Sequence, residues 1–330
     1  MQHTRTLFAG AVLAAAITAS LAPAASAQQE VKIGYALAPN SHYGVAAQRW
    51  QEVVEAETGG AFTFRHFPSS GLGGEREVIE GIQLGTVEAT IVSSGTLSNF
   101  VPEAGLFDIP FLFRDLGHAR RVLDGPIGQD ILAKFDDVGI VALAWGEQGF
   151  RHLTNNRGPV DEPADMAGLK VRTMENPVHI AAFETLGAAP TPMAWPEVIG
   201  ALQQGTIDGQ ENPLSVITSA NLAEVQSYLS LTGHVYSPAV ILVSPAFWGG
   251  LSPEEQEIFR QGAAEAVVAM RGFVDAAEAS GAEALRAAGM AVNDLTAAQR
   301  AAFQAALAPA YERYYATYDR ALIEQIIATE

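Results

Sequence analysis

The stretch from Ser252 to about Ala288 constrains this chain more than any other. Ser252-Pro253-Glu254-Glu255 reads as a capping box with Pro at the first helical position. The helical pattern then continues for roughly 36 residues, about 54 Å at 1.5 Å per residue. An ordinary domain is narrower than that. The spacing therefore predicts a helix that braces two lobes, with a kink near Gly272 or Gly281. The length of 330 residues agrees with two domains around separate cores.

The rest of the pattern says what those lobes are. Val31 to Leu37 alternates as a strand, and Asn40 to Glu57 carries Val45, Ala46, Trp50, Val53 and Val54 at helical spacing. A strand from Ala61 to Phe67, a helix from Glu75 to Leu84 and a strand from Val87 to Ser93 complete a β-α-β-α-β opening. A short buried turn is expected at Phe107-Asp108-Ile109-Pro110-Phe111, then helices near Asp115–Leu123 and Pro126–Phe135. Separate strands are expected at Val138 to Trp145 and Phe150 to Thr154. A second α/β run follows, with strands at Leu169–Arg172, Ala188–Pro192 and Thr206–Gly209. A strand from Ser227 to Ser244 reads as broken around His234 to Pro238. Thr296 to Gln299 is a second capping box, opening one last helix that ends near Ile327. The fold class is therefore α/β, two-lobed, with a long helix bridging both lobes. The expected division is residues 28–149 plus 238–277 for one lobe and 150–237 plus 278–330 for the other.

The N-terminus reads as a secretory leader. Arg5 precedes an apolar run from Leu7 to Leu21, and Ala25-Ser26-Ala27 supplies small residues at the cleavage positions. Residues 1–27 are expected to be removed after Ala27, leaving a periplasmic protein with no membrane-inserted segment. The chain contains no Cys, which excludes disulfides, thiolate catalysis and Cys-bound metals. Its formal charge is −18, from 37 acidic against 19 basic residues. That excess excludes nucleic acid as a partner, because phosphate contacts need clustered cations. An anionic small ligand stays compatible with it, since distant acids are screened over about 10 Å.

Catalytic signatures fail. There is no G-x-S-x-G elbow and no H-E-x-x-H helix, and the scattered His residues lack ligand spacing. No cofactor and no metal is expected. Arg172 ends the apolar strand Leu169-Lys170-Val171-Arg172, at the edge where α/β folds bind ligands. Its planar fork can hold a carboxylate through two parallel hydrogen bonds, or it can pair with an acid across the lobe. Arg151 lies where the first lobe hands over to the second and serves either as a second cation or as a hinge ion pair. In the polar patch Asp208-Gly209-Gln210-Glu211-Asn212-Pro213, Asn212 can donate to a ligand oxygen or cap a helix. Trp195 can wall the cleft or fill core, and Glu75 can serve the cleft or only the helix dipole.

These residues stand in a longer order: Gly71-Leu72-Gly73-Gly74-Glu75-Arg76, Pro110-Phe111-Leu112-Phe113, Gly149-Phe150-Arg151, Asp165 to Arg172, Leu186 to Met193, Glu197-Val198 and Asp208 to Pro213. In that order the chain resembles the DctP-type substrate-binding proteins of TRAP transporters over nearly all of its length beyond the leader. The resemblance implies a periplasmic receptor that closes around one small organic acid and docks on a sodium-driven permease of small and large membrane subunits. It implies that Arg172 makes the main salt bridge to the ligand carboxylate, helped by Arg151, with Asn212 bonding the same group. It places Glu75, Trp195, Tyr236 and Ser237 along the pocket, with Ser93, Ser94, His42 and Tyr43 facing it from the first lobe. The resemblance disfavours an ectoine-type zwitterion, because family members that bind one carry an acid at the end of the first strand, where this chain has Tyr35-Ala36-Leu37-Ala38. Glu175, three residues past Arg172, can bond a hydroxyl, which suits a hydroxy acid or sugar acid. A monomer is expected. The readings from other classes are a periplasmic hydrolase or isomerase using Glu75 and Glu211, and a sensor module that presents its ligand to a receptor.

Overall fold

The computed structural model describes residues 28–330, so the leader lies outside the described residues. One mixed sheet runs through the whole molecule. Its strands are β1 Gln29–Tyr35, β2 Phe62–Phe67, β3 Ala89–Ser93, β4 Val141–Asn155, β5 Lys170–Thr173, β6 Ala189–Pro192, β7 Gly209–Pro213, β8 Tyr228–Val243 and β9 Ala291–Asp294. They are ordered β2-β1-β3-β8-β4-β7-β5-β6, with β9 paired to β8. At one end, β1 pairs in parallel with β2 and β3. At the other, β5 pairs in parallel with β6 and β7. These are the two α/β lobes.

Two long antiparallel strands, β4 and β8, join the lobes. Ala239 to Val243 of β8 pair with β3, whereas Tyr228 to Leu231 pair with β9. Arg151 to Asn155 of β4 pair with β7. The sequence suggests breaks in both strands, yet each is continuous. The apparent breaks are bends. The β4–β8 register shifts at Ala142/Ala144, Glu147/Gly149 and Arg151/Leu153. Such irregularities turn a strand without ending it. Gly149 sits at the middle shift with φ +110°, a conformation that a side chain would strain.

The brace is the helix Pro253–Ala287, uninterrupted through Gly272 and Gly281. Its 35 residues span about 52 Å. Ser252 accepts from the Glu255 amide while Glu255 accepts from the Ser252 amide, completing the capping box. Phe259, Ala263, Ala266, Val267 and Met270 join the core of Val31, Ile33, Trp50 and Ile91. Leu285 joins a different core with Val198, Leu202, Leu214 and Leu229. One helix is thus buried in both lobes.

The C-terminal region departs from expectation. The single predicted helix is three, Ala297–Ala306, Ala308–Thr317 and Arg320–Ala328. Pro309 has no amide to continue the first, and Asp319 caps the third by accepting from the Ala321 amide at 2.9 Å. Leu307, Tyr314, Ile323 and Ile326 pack with Val92, Phe107 and Val178. The chain end is held by Arg114, which donates to the Ile327 and Thr329 carbonyls at 2.6 and 2.5 Å. The helices of the described residues include none long and apolar enough to cross a membrane.

Candidate functional site

A pocket opens between the lobes, holding about 550 Å³ of empty space including its mouth. Tyr43, Glu75, Arg172, Glu175, Trp195 and Asn212 from the sequence analysis all line it. Ser93, Thr96, Gln148, Met174 and Met193 line it as well.

Arg172 is the cationic centre. It lies near the end of β5, which Leu169 and Val171 anchor in the core, and is only 4% exposed. The Met193 carbonyl accepts from both Nε (3.0 Å) and Nη2 (2.8 Å). These bonds fix one edge of the guanidinium and leave its Nη1–Nη2 end for a carboxylate. Trp195 stands beside it, with Cζ 5.9 Å from the ring centroid. Burial, and then the charge of Arg151, lower Arg172 to about 10, so it stays charged at neutral pH.

Of the two roles open to Arg151, a second pocket cation or an ion pair, its surroundings fit the ion pair. It is fully buried behind the pocket wall and outside the lining. Nε and Nη2 donate to the two Glu211 carboxylate oxygens at 2.5 and 2.8 Å. Burial pushes Glu211 up, but Arg151 and the His234 hydrogen bond outweigh it and hold Glu211 well below the usual carboxylate range. The pair is a neutral unit, and the other lining guanidinium, Arg76, is paired with Glu175, which leaves Arg172 as the buried lining cation without a carboxylate partner. Arg151 also donates to Asn212 Oδ1 (3.2 Å) and Ser237 Oγ (3.3 Å). It therefore positions Asn212, whose amide is further held by the Gln210 side chain. The Asp208–Pro213 patch, expected after a strand, is itself the buried strand β7 from Gly209 onward.

Other expected residues also sit behind the wall. The Tyr236 hydroxyl donates to Glu147 Oε1 at 2.9 Å, within an ion-pair group of Glu147, Arg120 and Asp275. Ser237 is buried against Gln148 and Arg151. Ser94 donates to Asp108 Oδ1 at 3.1 Å, so Ser93 and not Ser94 reaches the pocket. His42 packs 4.5 Å from the Tyr43 ring and 6.1 Å from Phe273 of the long helix. Each of these side chains meets a partner far away in sequence, which no local pattern carries. Thr96, Gln148 and Met174 are lining residues that motif reading passed over, and Met193 stood in a quoted run without a role. The sequence signals available were adjacency to Gly149-Phe150-Arg151 for Gln148 and the Leu186–Met193 run for Met193.

The acids are engaged. Glu75 accepts from the Ser93 amide at 2.9 Å and the Thr96 hydroxyl at 2.7 Å. Burial raises it despite those bonds. Glu175 pairs with Arg76 at 2.8 Å. The Tyr43 hydroxyl, 1% exposed, is buried in the pocket wall without a partner. Among the described residues no cluster of His, Asp and Glu could hold a metal ion.

Two α/β lobes closing on a pocket with one oriented guanidinium define a solute-binding protein of the periplasmic type. The model of the DctP family, bacterial extracellular solute-binding proteins of family 7, matches residues 33–317. A solute-binding protein of Verminephrobacter eiseniae is 51% identical over 302 residues, covering 92% of this chain and 90% of the relative. A TRAP periplasmic solute-binding protein from Bordetella bronchispeptica, with density assigned to pantoate, superposes with a TM-score of 0.90 at 57% identity. That match covers 92% of this chain and all of the other. A Polaromonas relative bound to D-erythronate gives a TM-score of 0.90 at 49% identity, covering 92% and 99% of the two chains. This chain belongs to the DctP family of TRAP-transporter binding proteins. With its family, it is a transport protein and not an enzyme.

Proposed function

We propose that the protein captures a small hydroxylated monocarboxylate in this pocket and delivers it to a sodium-driven TRAP permease. The observation that carries the reading is the Arg172 guanidinium, steered by the Met193 carbonyl so that its open fork is left for one carboxylate. Asn212, held by Arg151, can add a donor to the same group. A ligand hydroxyl would satisfy the buried Tyr43 hydroxyl, and Glu75 lies within the same lining. Relatives bound to D-erythronate, or with density assigned to pantoate, support a hydroxy acid with a four-carbon backbone. The hydrolase or isomerase reading loses support because Glu75 is held by two donors and Glu211 is locked to Arg151.

In this reading the leader is cleaved after Ala27 and the mature protein acts as a periplasmic monomer. The lobes are residues 28–149 with 238–277, and 150–237 with 278–330. The C-terminal helices of the second reach back over the core of the first.

A thermal-shift and calorimetric screen of hydroxy acids, dicarboxylates, keto acids and sugar acids tests the proposal. Tight ligands raise the melting temperature by mass action. Pantoate or D-erythronate should stabilise the wild type and be recovered unchanged. Arg172→Lys should lose at least about 100-fold in affinity, because an ammonium cannot replace a two-pronged contact in a desolvated site. A screen with no carboxylate hit would sink the proposal, and so would an Arg172→Lys variant of wild-type affinity.

A further inference from the structure

Trp195 stands between two cavities. The inner one is the Arg172 pocket. The outer one is bounded by Ser69, Ser70, Pro196, Ile199 and Ser219 and holds about 630 Å³ of open-mouthed space. The two share Ala36, Leu37 and Trp195 as their common wall. Ala36 and Leu37 follow strand β1, so Trp195 is the one large side chain supplied from the opposite lobe.

Its packing suits a partition. Trp195 opens the helix Trp195–Gln203, and Pro196 in its first turn pre-sets the backbone. The indole is only partly buried, yet it packs against both the Val31–Ile33–Trp50 core and the Val198–Leu202–Ile207 core. It therefore bridges the cleft from one lobe to the other. Its inner side is held by the Arg172 guanidinium, 5.9 Å from the ring centroid.

The chambers differ in chemistry. The inner pocket has the charged Arg76, Arg172, Glu75 and Glu175, whereas the outer lining has no charged side chain and offers the Ser69 hydroxyl and the acceptor oxygens of Ser70 and Ser219, whose hydrogens go to backbone carbonyls. An uncharged polyhydroxylated extension matches that outer lining, and a second carboxylate does not.

We propose that Trp195 sets ligand length. It seals the inner pocket behind a short hydroxy acid and shuts the outer chamber to longer polyhydroxy acids. This inference rests on the carboxylate-binding reading above.

Calorimetry on the intact protein tests it, with pantoate and D-erythronate as short acids and D-gluconate and lactobionate as longer ones. The wild type should favour the short acids. In Trp195→Ala the ratio of short-acid to lactobionate affinity should fall by at least about tenfold, as expected when a wall that discriminates by size is removed. Trp195→Phe, which keeps a ring in the wall, should hold the wild-type ratio. Trp195→Leu reads the same ratio if the alanine variant does not fold, and should shift it in the same direction.

Two results would overturn the inference while leaving carboxylate binding intact. One is a wild type that binds lactobionate as tightly as the short acids. The other is an equal loss for short and long acids in both the alanine and leucine variants, which would make Trp195 a contact and not a partition. A wild type that binds none of the four acids would overturn the carboxylate reading, and this inference with it.

Discussion

His42 shows what burial without a partner does to a titratable side chain. Both ring nitrogens are buried and unbonded, and burial pulls the imidazole down to about 3 from its usual 6.5. Below about pH 6.5 the unfolded chain binds a proton that the folded state refuses. The folded state therefore loses stability as pH falls from about 6.5 towards 3 and keeps it above that window. Asp108 acts in the opposite sense. Burial raises it to about 7 despite hydrogen bonds from Asn176 and Ser94. Its contribution is full below about pH 4 and is lost as pH rises through 7. His42→Phe should lower the slope of unfolding free energy against pH by about 1.4 kcal/mol per pH unit between roughly pH 4 and 6. Urea unfolding at a series of pH values measures that slope, and an unchanged slope would mean that His42 titrates normally in the folded protein. At this scale the places of Arg172, Asn212 and Glu75 in the lining followed from ordered motifs, and those of Trp195 and Tyr43 from the family resemblance. For Arg151 the sequence left a second cation and an ion pair open, and it could not name the partner. Its partner Glu211 lies 60 residues away, and only the β4–β7 register brings them together.

At the scale of elements, the long helix carries glycines with different work to do. A Cβ on Gly262 would come within 2.6 Å of Trp50 Cδ1, at the contact where the Trp50 indole donates to the Phe259 carbonyl. A Cβ on Gly272 would meet nothing within 4 Å. Gly262→Ala should cost about 1–3 kcal/mol through overpacking. Gly272→Ala should gain about 0.5–1 kcal/mol, since alanine loses less backbone freedom in a helix. Paired chemical-denaturation curves decide this, and a stabilised Gly262→Ala would show that Trp50 can move aside. The helix starts at Pro253 and Ala297 were legible because capping boxes are local chemistry. The joined strands β4 and β8 were not, because bends, glycines and Pro238 look like strand breaks until a partner strand is seen alongside.

For the whole molecule, side chains of the second lobe tie it to the first. The Asn176 amide nitrogen donates to the Gly95 carbonyl at 3.0 Å and to Asp108 Oδ2 at 2.7 Å, while its oxygen caps the helix Pro177–Thr185. Asn99 reaches back to the Glu175 carbonyl at 2.6 Å. Asn176→Ser keeps a capping oxygen but is too short to span the cleft. With two buried hydrogen bonds at about 1 kcal/mol each, it should weaken ligand binding by roughly tenfold or more without touching the pocket. Small-angle scattering should also show less compaction on ligand addition than in the wild type. Unchanged affinity and compaction would show that these bonds do not hold the lobes together. By itself the sequence determined the α/β class, the bracing helix, the family and the place of Arg172 in the pocket lining, because periodicity, caps and motif order are properties of neighbouring residues. Only the tertiary structure decided that Arg151 is neutralised by Glu211, that Tyr236 and Ser237 stand behind the wall, and that Trp195 divides two chambers. Those outcomes depend on which distant residues the β4–β8 crossing brings together, and burial then sets both their charge and their access to a ligand.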